Sequence, residues 1–375
     1  MTGAAPWVID GRGLQGGSGV RGIGSYLRGL LGGLHDLGVD ERVELLLRRS
    51  DPPPDLPPGW AARPGPRLPA LKRRLQPLAD PFLVAAVLLR RPAALYHAVE
   101  YAQPIVARAP VVVTVHDLIP FVVRDGYTWM RRERLLAVRQ LRHAEAVITP
   151  SQATADDAVR VARVRRERIS VIPHGVAAAF RPAPAERVAS TRERLGLDRP
   201  FLLAVGTFDA HKRLKTLLEV AARVCPVFGL DLVVAGDQGV YRPQVRATVT
   251  ASPVAGHVHL VGRVGLADLV DLYSGARCLV HSSAYEGFGL PLLEAMACGC
   301  PVAAFANSAI PEVCGSAGVT VADGDAGELA GAVAALAVDG PERERRVTTG
   351  RAWAAEHTWE RAARATIDVY GSLAP

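Results

Sequence analysis

Short runs of aliphatic and β-branched residues alternate along this chain with longer helical stretches, and few folds accept that rhythm. In the second half the runs are FLLAVGT (201–207), LDLVVAGD (230–237), VHLVGRV (258–264), RCLVHSS (277–283) and PVAAFA (301–306). Helical segments separate them, starting at Lys212 and after Pro243, then from Leu266 to Tyr273 and from about Leu290 to Cys298. Runs that are apolar throughout, rather than at every second residue, suit strands buried on both faces. Their alternation with helices predicts a parallel sheet with helices on both sides. The first half repeats the pattern with PWVID (6–10), RVELLLRR (42–49), AALYHAV (93–99), VVVTVHDLIP (111–120), EAVITPS (145–151) and ISVIPHGV (169–176).

At 375 residues the chain exceeds one typical core, so two sheets mean two domains. Residues 177–199, rich in Ala, Pro and Arg, read as the linker and its approach helix. The expected division is 1–176, 200–357 and a C-terminal helix over 358–375. The five cysteines are odd in number and lack metal-type spacing, which predicts free thiols in a reducing, cytoplasmic setting. The longest wholly apolar run, Phe82 to Leu89, is too short to cross a bilayer. The net charge of +7 comes from cations scattered among helices, without the interleaved aromatics of a nucleic-acid face. Lys72, Arg73 and Arg74 lie on a helical segment over 68–89 that is open to peripheral contact with an anionic membrane face. Residues 51–69 are expected to be Pro-rich loop.

The chemistry concentrates in residues 281–315. Between Gly287 and Pro311 the only charged or titratable side chain besides cysteine is Glu294. An unpaired carboxylate in a core would cost several kcal/mol of desolvation, so Glu294 must reach a surface or bind something polar. Pro291 suits a first helical turn and Gly299 a C′ position, which makes strand, Gly-Phe-Gly turn, helix and strand a βαβ unit. Its turn leaves the carboxyl end of a strand, where open α/β sheets bind ligands. Gly287, Phe288, Gly289 and Leu290 bring backbone N–H groups toward such a ligand, and Glu294 sits one turn inside, able to accept from a vicinal diol.

The segment Glu286-Gly-Phe-Gly-Leu-Pro-Leu-Leu-Glu294 resembles the E-x7-E signature of family 4 retaining glycosyltransferases of the GT-B fold, and the likeness extends to Pro311-Glu312-Val313. It implies two Rossmann-like domains whose parallel sheets face a central cleft, the donor on the second and the acceptor on the first. Glu294 would then hold the donor ribose, and Glu286 would face the donor sugar. Thr114-Val-His116-Asp-Leu-Ile-Pro120 is similar to the family's histidine-bearing strand end, which implies that His116 faces the sugar; its residues alone fit a satisfied core histidine equally well. Gly22-Ile-Gly24-Ser-Tyr26 resembles the family's first loop, placing Gly24 at a helix start beside the diphosphate. Gly206-Thr-Phe-Asp-Ala-His211-Lys212-Arg213 resembles G-T-x-x-P-R-K-N, where two cations meet the diphosphate. Lys212 matches, but His211 replaces the arginine, so the second cation would be His211 if protonated, Arg213 or Arg12.

The function expected is transfer of a sugar, with retention, from a nucleotide-diphosphate sugar such as GDP-mannose to a hydroxyl of a glycan, a lipid-linked molecule or a natural product. No cofactor is expected, and the transfer is expected to be metal-independent. Two other readings compete. Gly11, Gly13 and Gly16 spell G-x-G-x-x-G, but no apolar helix begins at Gly16, and Arg48 and Arg49 stand where a dinucleotide oxidoreductase needs an acid. A catalytically silent carbohydrate-binding protein would have no need of Glu286, Glu294 and Lys212 together.

Overall fold

The computed structural model describes residues 5–15, 22–48, 51, 54, 60–65, 76–101, 103–123, 127–207, 209–236 and 242–374. Gly16 and the glycines up to residue 21, Arg49, the Lys72-Arg73-Arg74 cluster and Phe208 lie outside them. The chain divides into two compact units, one of residues 1–175 with 358–375, the other of residues 176–357.

In the first unit the elements are β1 (Trp7–Asp10), α1 (Gly22–Asp36), β2 (Val43–Leu47), β3 (Ala61–Pro64), α2 (Gln76–Arg90), β4 (Leu95–Ala98), β5 (Val111–Thr114), α3 (Ile119–Val122), α4 (Thr128–Gln140), β6 (Ala146–Thr149), α5 (Gln152–Ala162) and β7 (Ile169–Val171). The strands form one parallel sheet in the order β3-β2-β1-β4-β5-β6-β7, with Ile9 opposite Leu45 on one side and His97 on the other. Successive side chains feed opposite faces, as the pleat requires. Trp7 and Ile9 join Leu45, Leu95 and Val112 in one core, while Val8 joins Leu46, Tyr96 and Val113 in the other. Ser151 caps α5 by accepting from the Thr154 N–H, as its position before an apolar run suggests.

The Pro-rich stretch contains a strand, β3, where only loop was expected. Its Arg63 is 1% exposed and is tied by Nε to Glu44 at 2.7 Å and by its Nη atoms to the carbonyls of Arg91 and Pro92 at 3.0 Å. These partners come from elsewhere in the chain, so local composition did not reveal the edge strand.

The second unit contains α6 (Ala185–Arg194), β8 (Phe201–Val205), α7 (Leu214–Phe228), β9 (Asp231–Ala235), α8 (Arg242–Thr250), β10 (Val258–Gly262), α9 (Leu266–Gly275), β11 (Cys278–His281), α10 (Leu290–Ala297), β12 (Val302–Phe305), α11 (Ile310–Cys314), β13 (Val319–Val321), α12 (Ala326–Ala337) and α13 (Pro341–Ala355). Its sheet is parallel in the order β10-β9-β8-β11-β12-β13. Phe201, Leu203 and Leu279 feed one core, and Leu202, Ala204 and Val280 the other. All five cysteines are free and buried.

The last helix, α14 (Trp359–Leu373), belongs to the first unit and packs along α1. Glycines make the approach possible. A Cβ on Gly29 would stand 2.0 Å from Cε2 of Trp359, one on Gly33 2.5 Å from its carbonyl oxygen, and one on Gly175 2.2 Å from its nitrogen. Further along, the Tyr370 hydroxyl meets Nδ1 of buried His97 at 2.6 Å, and Trp7 packs edge-on against the Tyr370 ring. No helix among the described residues is long and apolar enough to cross a membrane.

Candidate active site

In the second unit two loops at the carboxyl ends of neighbouring strands are joined. After β8 the chain turns at Gly206, whose φ of 150° excludes most side chains, and runs into a short 3-10 turn, Ala210–Lys212. After β11 it runs through Ser282 to Gly289. The Ser282 hydroxyl donates to the Lys212 carbonyl at 2.8 Å and the Ala284 N–H to the His211 carbonyl at 2.7 Å. These bonds bring Lys212 to Glu286 although 74 residues separate them, with Nζ 2.5 Å from Oε1. His281, the last residue of β11, reaches the same oxygen through Nε2 at 2.9 Å. Burial works to raise the Glu286 pKa, but the Lys212 cation and the His281 bond prevail and hold the carboxyl well below its usual range. Glu286 is therefore an ionised, nearly buried carboxylate.

Its main chain is fixed as well. The Glu286 N–H donates to Oγ of Ser308 at 2.8 Å, the Ser308 hydroxyl to Oδ1 of Asn307 at 3.0 Å, and the Asn307 amide to the Ser283 carbonyl and to Asp323. Asp323 receives a two-pronged contact from Arg213, at 2.6 and 3.1 Å. Ser308 and Arg213 both hold positive φ, 45° and 48°, which non-glycine residues keep only when their surroundings impose it.

This geometry changes the expected cation pair. The Arg213 guanidinium is engaged by Asp323. Burial, followed by the neighbouring Lys212 charge, pushes His211 down to about 4, so at neutral pH it carries no charge. Arg12 lies in the other unit, 6% exposed, with Nε and Nη2 on the Asp10 carboxylate at 2.8 and 2.7 Å and Nη1 near Asp80 at 3.3 Å. Lys212 is thus the cation that this loop presents, and its present partner is Glu286.

Glu294 lies one turn inside α10, as its spacing from Pro291 predicts. Gly289 precedes the helix with φ of 102°, and a Cβ there would also crowd Leu292 at 3.0 Å. Gly287 and Phe288 form the turn before it, Phe288 with its ring in the core and Leu290 packed against that core. The Tyr273 hydroxyl, from α9, donates to Oε2 of Glu294 at 3.0 Å. Burial pushes the Glu294 carboxyl up to about 7, and the Tyr273 bond only partly opposes it.

In the first unit His116 lies just beyond β5. Its Nε2–H donates to the Val99 carbonyl at 3.1 Å, which leaves Nδ1 as an acceptor, and burial pushes its pKa down to about 4. A neutral imidazole held this way offers Nδ1 as an acceptor. Tyr26 packs edge-on to His116 at 4.7 Å, His174 lies 5.6 Å away, and Trp359 stacks on His174. Gly24 is buried within the first turn of α1 rather than before it, since the helix begins at Gly22. His174, His281 and Tyr273 escaped sequence reasoning. His174 stood in a strand-end motif, IPHGV, and offered some signal. The other two are noticed only through their partners.

Two parallel α/β units, one carrying Lys212, Glu286 and Glu294 at its strand ends, define a glycosyltransferase of the two-domain kind. Residues 20–180 match the model of Glycosyltransferase Family 4 and residues 188–353 that of Glycosyl transferases group 1. The alpha-maltose-1-phosphate synthase of Mycobacterium tuberculosis is 30% identical, covering 84% of this chain and 87% of its own. The O-antigen chain mannosyltransferase B of Escherichia coli is 27% identical, over 70% of each chain. Among solved structures, the sucrose-phosphate synthase of Thermosynechococcus elongatus superposes with a TM-score of 0.80 at 24% identity, covering 99% of both chains. Anabaena HepE, solved with UDP and glucose, superposes with a TM-score of 0.78 at 20% identity, covering 99% of this chain and 100% of its own. The chain belongs to glycosyltransferase family 4.

Proposed function

We propose that this protein transfers a hexose from a nucleotide-diphosphate sugar to an acceptor hydroxyl with retention of anomeric configuration and without a metal ion. The observation that carries this reading is the ionised Glu286 held by Lys212 at the ends of β8 and β11. Lys212 has the charge and reach to neutralise a diphosphate leaving group, and Glu286 offers a fixed carboxylate to the sugar's hydroxyls. Glu294, one turn into α10, takes the ribose diol, while Gly206 and the amides of residues 287–290 border the phosphates and sugar. In the first unit the neutral His116 offers Nδ1 to a sugar or acceptor hydroxyl. The acceptor oxygen bonds to the anomeric carbon as the bond from that carbon to the phosphate oxygen breaks, and an oxygen of the leaving diphosphate takes the acceptor proton, so no protein nucleophile is needed. Likeness to a mannosyltransferase puts GDP-mannose first among donors, with a glycan, lipid-linked molecule or natural product accepting. A thermal-shift screen of nucleotide sugars finds the donor, since a ligand at a hundred times its Kd adds about 2.7 kcal/mol. NMR of the product's anomeric coupling then tests retention, and an inverted product overturns it.

We also infer peripheral contact of the first unit with an anionic bilayer. Helix α2 is apolar on both sides: Val84, Ala85 and Leu88 are buried, while Phe82, Ala86 and Leu89 form an exposed stripe at i, i+4 and i+7. Ile105, whose N–H reaches the Pro81 carbonyl, and Val106 extend the apolar surface, and Arg90 and Arg108 are exposed nearby in the chain. A flotation assay should show capture by vesicles rich in phosphatidylglycerol and release after Phe82→Glu. Equal partition onto phosphatidylcholine vesicles, or none onto either, would remove the inference.

A further inference from the structure

Glu286 is gripped twice on one oxygen. Lys212 Nζ and His281 Nε2 both reach Oε1, at 2.5 and 2.9 Å, whereas Oε2 accepts from no described residue. The two donors differ in what can move them. Lys212 ends a flexible four-carbon stem, and its ammonium goes to whichever anion is nearest. His281 has a short side chain, is 3% exposed, and sits in the β11 ladder opposite Ala304. The Glu286 N–H is already tied to Ser308, so the side-chain torsions are the freedom that remains.

We propose that His281 is the positioning residue of this site: its Nε2–H holds Oε1 of Glu286 in place when Lys212 turns to the donor diphosphate, keeping Oε2 directed at a sugar hydroxyl. This rests on the reading of Lys212 and Glu286 given above. Without His281 the carboxylate would follow the lysine, because their ion pair would be its remaining side-chain contact among the described residues, and the ground state would keep a pair that the reaction needs separated. His281 touches neither phosphate nor reacting atoms; it acts through Glu286.

The test compares wild type with His281→Phe, which keeps bulk but loses the donor, and His281→Gln, whose amide restores an N–H of similar reach. With the donor found by the thermal-shift screen, His281→Phe should lower kcat roughly ten- to a hundredfold, the effect of one charge-assisted hydrogen bond. Calorimetric affinity for the bare nucleoside diphosphate should stay within about twofold, and His281→Gln should recover most of kcat. In a Glu286→Gln background, His281→Phe should cost little more, because the two act as one unit. The proposal is overturned if His281→Phe keeps kcat within about threefold, if Gln fails to rescue it, or if nucleotide affinity falls in step with kcat. Ring-nitrogen NMR of the wild type adds a readout that needs neither turnover nor a variant: Nε2 must carry the proton, and an Nδ1–H tautomer ends the proposal. A wild type that turns over no nucleotide sugar but shows the Nε2–H tautomer strikes the reading of the reaction and leaves the hold on Glu286 standing.

Discussion

The hydroxyl of Tyr273 in α9 donates to Oε2 of Glu294 in α10 across 3.0 Å, and this is the hydrogen bond the structure gives that carboxyl. Burial raises the Glu294 pKa to about 7 from an ordinary 4.5. A carboxyl raised on folding binds its proton more tightly in the native state, so its contribution to stability is complete below the unfolded pKa and is lost as pH rises through about 7. The ligand-free protein should therefore lose melting temperature between pH 5 and 8 relative to Glu294→Gln. If Glu294 takes the ribose as proposed, the diol donates and so favours the ionised form. Nucleoside diphosphate should bind more tightly at pH 8 than at pH 6 and release a fraction of a proton in calorimetry, and Glu294→Gln should flatten that dependence.

The two glutamates should fail differently. If Glu294 takes the ribose as proposed, it accepts from it in ground and transition states alike, and Glu294→Ala should raise the donor KM with a smaller change in kcat. If Glu286 meets the reacting sugar as proposed, Glu286→Ala should lower kcat more than donor affinity. Each effect should be roughly ten- to a hundredfold in its own parameter. Binding of the bare nucleoside diphosphate separates them: Glu294→Ala loses it and Glu286→Ala keeps it.

Lys212 and Lys215 offer a matched comparison, three residues apart. Lys212 is held against Glu286, whereas Lys215 is exposed on the first turn of α7. Lys212→Ala should weaken diphosphate binding and slow transfer, while Lys215→Ala should change either by less than about twofold. Equal, small effects would return Lys212 to an ordinary solvated lysine.

Gly29→Ala should destabilise the first unit, since the added methyl would lie 2.0 Å from the Trp359 indole. Overpacking of this kind costs about 1–3 kcal/mol or more. Gly32→Ala, three residues on, meets nothing within 4 Å and should be neutral or stabilising by up to about 1 kcal/mol. Denaturant midpoints of the two variants decide it, and similar midpoints would contradict the close seat of Trp359.

Glu294 could be placed from sequence because its neighbours are apolar and Pro291 and Gly299 bracket its helix, so local rules sufficed. The alternating runs gave the two sheets for the same reason. What local rules do not carry is pairing at a distance. Arg213 looks like a phosphate cation until Asp323, 110 residues later, is seen to hold it. His281 reads as a strand residue until Glu286 turns back onto it, and Tyr273 as a core aromatic until its hydroxyl meets Glu294. Edge strand β3 was hidden among prolines because Glu44 and the carbonyls of residues 91 and 92, not its own sequence, satisfy Arg63.

The first unit is interrupted by the whole of the second, and this imposes an order on biosynthesis. A nascent chain that has emerged as far as Gly175 already contains all seven strands of the first sheet, yet it lacks Trp359, which fills the space left by Gly29 and Gly33, and Tyr370, which meets His97. At the pace of translation, roughly 5–20 residues per second, the intervening 182 residues from Val176 to His357 occupy about ten to forty seconds. During that interval the apolar flank of α1 has no α14 to cover it. On the ribosome the first domain begun is thus the last completed, and the second can reach its native packing while the first still waits.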